Sequence, residues 1–230
     1  MPIIKEVQER LLLAFPRSSN VMLFRAVQEG SFLVSHLYEG ERFLKNNIGY
    51  DLYGHVRRVA ISYQIDQYCQ RGDLPFVTQI QPMPRGPLHW LEIKSTGAVA
   101  HVCRTNEPLA FPDEAESRQD YRLALQTDLL SWLEKGQEKP LAQIIHEIPQ
   151  LYSWLTFHVG PGGDVSHLCW VSPAADVDEY IAYVDVLDEI ARSGDDVPSI
   201  APTPDPKEKL RLKDHIADQL EKSRKAGEEG

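Results

Sequence analysis

An α+β fold is predicted: an N-terminal helical segment packed on a mainly antiparallel sheet that contains two duplicated β-hairpins, followed by a C-terminal helix. Three observations predict it. Residues 1–72 carry apolar side chains at helical spacing, whereas the stretch from Asp73 onward alternates with period two and is rich in β-branched and aromatic residues. One segment of that second region recurs about 60 residues later, the signature of a repeated supersecondary unit. A linker composition then precedes an isolated helix start near the C-terminus.

In chain order, Ile4 to Phe15 is the first helix, and Pro16, which cannot continue the hydrogen-bond ladder, closes it. Asn20 opens a second helix with Met22, Leu23, Phe24 and Val27, expected to stop near Gly30. Ser31 is placed to cap a third with Phe32, Leu33, Leu37 and Phe43. Asp51 is expected to open a fourth, whose Tyr53, Val56, Ala60, Tyr63, Ile65 and Tyr68 form a broad apolar stripe ending near Gly72. Strands are expected over 77–80 and 88–104, separated by Pro82, Pro84 and Pro87. Helices follow over 113–135 and 141–145, then strand texture over 151–171. Residues 180–190 begin as a strand and end as a helix turn. Residues 193–204 read as a linker, and Asp205-Pro206 as an N-cap and first helical position for a helix over 205–226. The expected organisation is therefore a helical segment 1–72, an α+β region 73–192 with hairpins 88–104 and 152–170, a linker 193–204 and a terminal helix 205–226.

The repeat aligns Trp90-Leu91 with Trp154-Leu155 and Val99-Ala100-His101-Val102-Cys103 with Val165-Ser166-His167-Leu168-Cys169. The copies differ in length only at the glycine-bearing turn, where hairpins tolerate insertion. A two-residue loop at Thr96-Gly97 pairs Lys94 with Val99 and Glu92 with His101. A four-residue loop in the second copy would pair His158 with Val165, Thr156 with His167 and Trp154 with Cys169. One face of the hairpins (Leu91, Ile93, Ala100 and Val102, with Leu155, Phe157, Ser166 and Leu168) is expected to lie on the helices. The other gathers Trp90, Glu92, Lys94, His101 and Cys103 with Trp154, Thr156, His158, His167 and Cys169. Such a face is either a second packed layer or a concave site, and Trp90, His101, Trp154, His158 and His167 are its candidate ligand-binding residues.

Other motifs carry weaker chemistry. His101, Cys103, His167 and Cys169 are the soft and borderline donors zinc takes tetrahedrally, but they lack the tight spacing of structural zinc sites, and packing explains them more simply. Glu92-Ile93-Lys94 with Asp73 upstream matches the carboxylate pair and lysine of metal-dependent hydrolases and nucleases, a short pattern that also arises by accident in strands. Gly160-Pro161-Gly162-Gly163 lacks the Lys-Ser/Thr of a phosphate loop. Arg57, Arg58, Arg71, Arg85 and Arg104 are candidates for a modest anion-binding patch, or are simply scattered surface charges. No signature of a resident metal or organic cofactor is present, and none is expected.

Composition bounds the function. The 230 residues hold 24 Lys+Arg against 34 Asp+Glu, a net charge of −10. Residues 112–191 contribute 15 acidic and 4 basic side chains, a density that repels a phosphate backbone and disfavours nonspecific nucleic-acid binding. The longest apolar run, Leu11 to Phe15, is far below the ~18 residues of a membrane helix. Three cysteines without CxxC spacing suit a reducing, cytoplasmic compartment. The expectation is a non-enzymatic cytoplasmic binding or regulatory protein acting through small-ligand or protein contacts, with the acidic 113–191 region or the terminal helix meeting a protein partner. The alternative is a metal-dependent hydrolase or nuclease using Asp73, Glu92 and Lys94.

Overall fold

A computed structural model describes residues 2–83, 88–112, 119–120, 122–123, 126, 150–160, 163–175 and 177–194. Three helices come first: α1 (Pro2–Ala14), α2 (Asn20–Gly40) and α3 (Asn47–Gln70). Six strands follow, β1 (Val77–Pro82), β2 (His89–Ser95), β3 (Ala98–Arg104), β4 (Leu151–Val159), β5 (Val165–Pro173) and β6 (Tyr180–Asp185), and then a short helix α4 (Val186–Ser193). The strands lie in sequence order in one sheet, antiparallel everywhere except at β3–β4, which run parallel. This is the expected α+β arrangement. Of the linker expected over 193–204, Ser193 belongs instead to α4 and Gly194 is its C-cap; residues 195–204, the helix expected over 205–226 and most of the helices expected over 113–145 lie outside the described residues.

The helix boundaries differ instructively from those of the sequence. Gly30 and Ser31 do not separate two helices; α2 runs straight through them. Gly30 sits where α2 crosses α3, and a Cβ built on it would lie 2.6 Å from the Ile61 Cα. The residue that resembles a helix stop is thus a contact point, and tertiary packing outweighs its poor helix propensity. Ser31 spends its hydroxyl across the core, donating to the Gly163 carbonyl at 2.8 Å. At α3 the cap is Asn46, whose Oδ1 accepts from the Gly49 N–H at 3.0 Å, so the helix begins before Asp51. The mixed segment 180–190 resolves at Asp185, which ends β6 and caps α4 by accepting from the Leu187 and Asp188 amides.

Period-two alternation places Leu91, Ile93, Ala100, Val102, Leu155, Phe157 and Leu168 on the helix-facing side of the sheet, in one core with Val7, Leu11, Val27 and Ile61. Trp170 anchors it: Phe15 stacks on its ring at 3.8 Å and Phe76 meets it edge-on at 5.9 Å. Ser166 is the exception, exposed to solvent beside an irregularity in the second hairpin. The first hairpin has the expected register, Lys94 opposite Val99 and Glu92 opposite His101. The second does not. His158 faces His167 and Thr156 faces Cys169, with a break between His158 and Val159. The five-residue turn that results lets Gly163 dock on α2, where Gln28 Nε2 and Ser31 Oγ both donate to its carbonyl. That docking accounts for the displaced register. His101 and His167 share a sheet face, but their cross-strand partners are not equivalent.

Candidate functional site

The face turned away from α1–α3 is a second packed layer. Val99, Cys103, Tyr152, Trp154, Cys169 and Val171 form its apolar part, with Phe111 and Tyr180 against them. At its β2–β3 end, parallel pairing sets His101 beside Trp154, and antiparallel pairing sets Glu92 opposite His101. The imidazole stacks on Trp90 with centroids 4.0 Å apart, and its Nδ1 lies 2.9 Å from Tyr152 Oη. Its Nε2 is 3.7 Å from Glu92 Oε2, and Glu92 Oε1 is 2.9 Å from Lys94 Nζ. A polar chain thus runs from Lys94 at the surface through Glu92 and His101 to Tyr152 in the interior. The neighbouring His101 imidazole is the first cause holding the Glu92 carboxyl below its ordinary pKa, and it outweighs the opposing effect of burial; Lys94 adds to it.

Carboxylate, imidazole and phenol in series have the composition of a proton relay. Their accessibility argues otherwise: Tyr152 is 0% exposed and His101 1%, so neither end of the His–Tyr contact meets solvent. Trp90, His101 and Trp154 are brought together through Tyr152 as a run of ring contacts inside the layer. His158 lies further along the same face, its Nδ1 3.1 Å from the Thr105 carbonyl. His167 Nε2 lies 3.2 Å from Thr156 Oγ1, which itself donates to the Cys169 carbonyl. That geometry makes Nε2 the protonated nitrogen, and burial lowers the His167 pKa, favouring the neutral ring.

The donors of the zinc alternative do not assemble: among the described residues no three His, Cys, Asp or Glu side chains form a group able to hold a metal. His101 engages Tyr152, while His167 contacts Thr156 and Cys169. The hydrolase alternative is divided as well. Asp73 sits in the exposed turn after α3 and pairs with Arg71 at 3.1 Å, while Glu92 is buried between Lys94 and His101. The arginines disperse. Arg57 is buried beside Tyr53 and the Val159 carbonyl, Arg71 stacks on Tyr68, Arg104 lies against Gly54, and Arg85 is outside the described residues.

A site that the motifs indicated only through Arg58 lies on the other side of the sheet. A cleft of about 250 Å³ opens between α3 and the β1–β2 hairpin. Helix positions 55, 58, 59, 62, 63 and 66 share one face of α3 and form one wall. His55, Arg58 and Ser62 supply its polar groups, Ile80 and Leu88 its apolar surface, and His89 and Leu91 its far side. Burial, then the neighbouring Arg58 charge, lowers the His55 pKa and keeps that ring neutral. Asp66 at the margin is already engaged, accepting from Thr78 Oγ1 and Gln70 Nε2 at 2.6 Å each. The signal for this site was the recurrence of polar residues at i, i+3, i+7 and i+11 (His55, Arg58, Ser62 and Asp66) beside the apolar stripe of α3.

Among the described residues no helix is long and apolar enough to cross a membrane. Compared with protein-family models, curated proteins and solved structures, the chain matches none.

Proposed function

We propose that this chain is a cytoplasmic, non-enzymatic binding protein that takes a small anionic ligand with an apolar or aromatic body in the cleft between α3 and the β1–β2 hairpin. The observation that carries this proposal is the make-up of that cleft. A guanidinium and a neutral imidazole stand over an apolar floor, in a concavity of the size a small ligand fills. The interior polar groups, by contrast, are engaged with one another and enclosed, an arrangement suited to holding a fold rather than turning over a substrate. The expected protein partner of the acidic 113–191 region or of the terminal helix belongs to the same proposal, as a downstream contact.

The test uses 1-anilinonaphthalene-8-sulfonate, an anionic aromatic probe, with amide chemical shifts as the readout. Saturable shifts clustered on residues 55–67 and 88–91 are expected, weakened severalfold in Arg58→Gln and abolished in Ser62→Trp, which fills the cleft. Shifts scattered over the surface, or unchanged in both variants, overturn it. So does robust Mg²⁺- or Mn²⁺-dependent cleavage of nucleic acid by the wild type that Glu92→Gln abolishes.

A further inference from the structure

We infer that the outer edge of β1 pairs with the same edge of a second copy of this chain, joining two six-stranded sheets about a two-fold axis. The argument begins with which backbone groups the edge leaves open. The Met83 N–H donates to the Leu88 carbonyl at 2.8 Å, in the same register that sets Val77 opposite Lys94 and Gln79 opposite Glu92. In an antiparallel ladder hydrogen-bonded pairs recur every second residue, so Val77, Gln79 and Gln81 direct their N–H and C=O groups at β2. The two-residue turn at Thr96-Gly97 gives the same parity independently, because it makes Ser95–Ala98 a bonded pair and turns Lys94 toward β1. Thr78, Ile80 and Pro82 therefore point their backbone groups outward, and among the described residues no further strand follows β1 in the sheet.

Apart from Pro82 at its end, this edge lacks the devices that keep strands apart. Its six residues, Val-Thr-Gln-Ile-Gln-Pro, carry no charge, and its ladder with β2 has no bulge. Val77 is 68% exposed and Ile80 48%, on opposite faces of the strand. The opposite edge is different: β6 borders a polar hollow with Arg17, Asp188, Glu189 and Arg192, a setting hostile to strand addition.

A second copy is the occupant that an uncharged, self-complementary strand fits. Pairing Thr78 with Ile80 of the other copy, and Ile80 with its Thr78, forms two bonded pairs across the axis and leaves Gln79 opposite itself. Pro82, whose missing N–H would have faced outward, falls outside those pairs, so its lack of a donor costs nothing. A two-fold axis of this kind is the commonest closed symmetry. The net charge of −10 on each chain opposes approach, so added salt should strengthen the pairing.

The experiment is sedimentation of the full chain over about 10–500 µM, the range suited to an interface well below standard size. The mass is expected to rise from 26.1 kDa toward twice that value, more so at high salt. Thr78→Pro removes one outward N–H from the edge and should hold the chain monomeric, while Thr78→Val, which keeps that N–H, should still dimerise; circular dichroism verifies both folds. Should Thr78→Pro fail to fold, Ile80→Lys supplies the charge the edge lacks and is expected to abolish the dimer. Gln79→Cys should form a covalent dimer under oxidation, because opposed non-bonded pairs lie about 4.5 Å apart at Cα, and Gln81→Cys should not. A monomer at every concentration, equal cross-linking by the two cysteine variants, or strand addition by a foreign peptide to a chain that stays monomeric would each overturn the inference.

Discussion

His101 and Tyr152 come from neighbouring parallel strands, and their 2.9 Å Nδ1–Oη contact joins the two hairpins by a side-chain hydrogen bond within the buried layer. Both residues are enclosed, so no water can replace the phenol if it is lost. Tyr152→Phe keeps the ring packing and removes the hydroxyl. It is expected to destabilise the protein by about 1–3 kcal/mol, the cost of stranding a buried polar atom. Chemical denaturation with an unchanged m-value checks this.

Stability should decline in two steps as pH falls. The folded-state pKa of His167 lies below the ordinary 6.5 because burial disfavours the charged ring. Its contribution is therefore complete above 6.5 and diminishes as pH drops from there toward the depressed value, since the unfolded chain binds the proton first. Glu92, held below 4.5 chiefly by the neighbouring His101 imidazole, acts in the same direction at lower pH. Its contribution is present above 4.5 and lost as pH falls through the lower folded value. Thermal melts from pH 8 to pH 3 are expected to show both declines, with Glu92→Gln flattening only the second.

Gly30→Ala reverses the usual sign of its class. Replacing a helical glycine with alanine ordinarily stabilises by about 0.5–1 kcal/mol. Here the added methyl would meet the Ile61 Cα at 2.6 Å and its amide nitrogen at 2.9 Å, both backbone atoms that cannot swing away. A loss of about 1–3 kcal/mol is expected as α2 and α3 are forced apart. A raised melting temperature would show that the helices do not cross at this contact.

Gln28→Leu should loosen the β4–β5 turn. Gln28 Oε1 accepts the Val165 N–H at 3.1 Å, and its Nε2 donates to the Gly163 carbonyl at 3.3 Å. A leucine fills similar space but leaves a buried amide without that acceptor, at about 1–3 kcal/mol. Hydrogen exchange is expected to accelerate at Val165 while amides of α1 keep their protection.

Local pattern made much of this fold legible. The first hairpin's register follows from Thr96-Gly97 because a two-residue turn fixes pairing without reference to anything distant. The second hairpin's register was not legible, since it depends on α2 reaching Gly163 with Gln28 and Ser31, more than 130 residues away. Gly30 misled for the same reason: a helix-crossing glycine and a helix-ending glycine look alike until the partner helix is placed. The sequence showed that Trp90, His101 and Trp154 share a face. Whether that face is packed or hollow is decided by what lies over it. The cleft beside α3 depended on β1 and β2 lying against a polar helix face, which no single segment encodes.

The parallel junction of β3 with β4 also governs how this chain folds. Every other strand pairing spans a connection of six residues or fewer, so β1–β2–β3 and β4–β5–β6 are two meanders that assemble from local contacts. Their junction is non-local: Ser153 Oγ donates to the Val99 carbonyl across 54 residues of chain. Closing it brings together segments far apart in the chain before any contact rewards the loss of freedom, which makes it the slow step. The acquisition of the native sheet is thus a docking of two preformed halves, and a nascent chain halted before Leu151 would expose β3 as an unpaired edge.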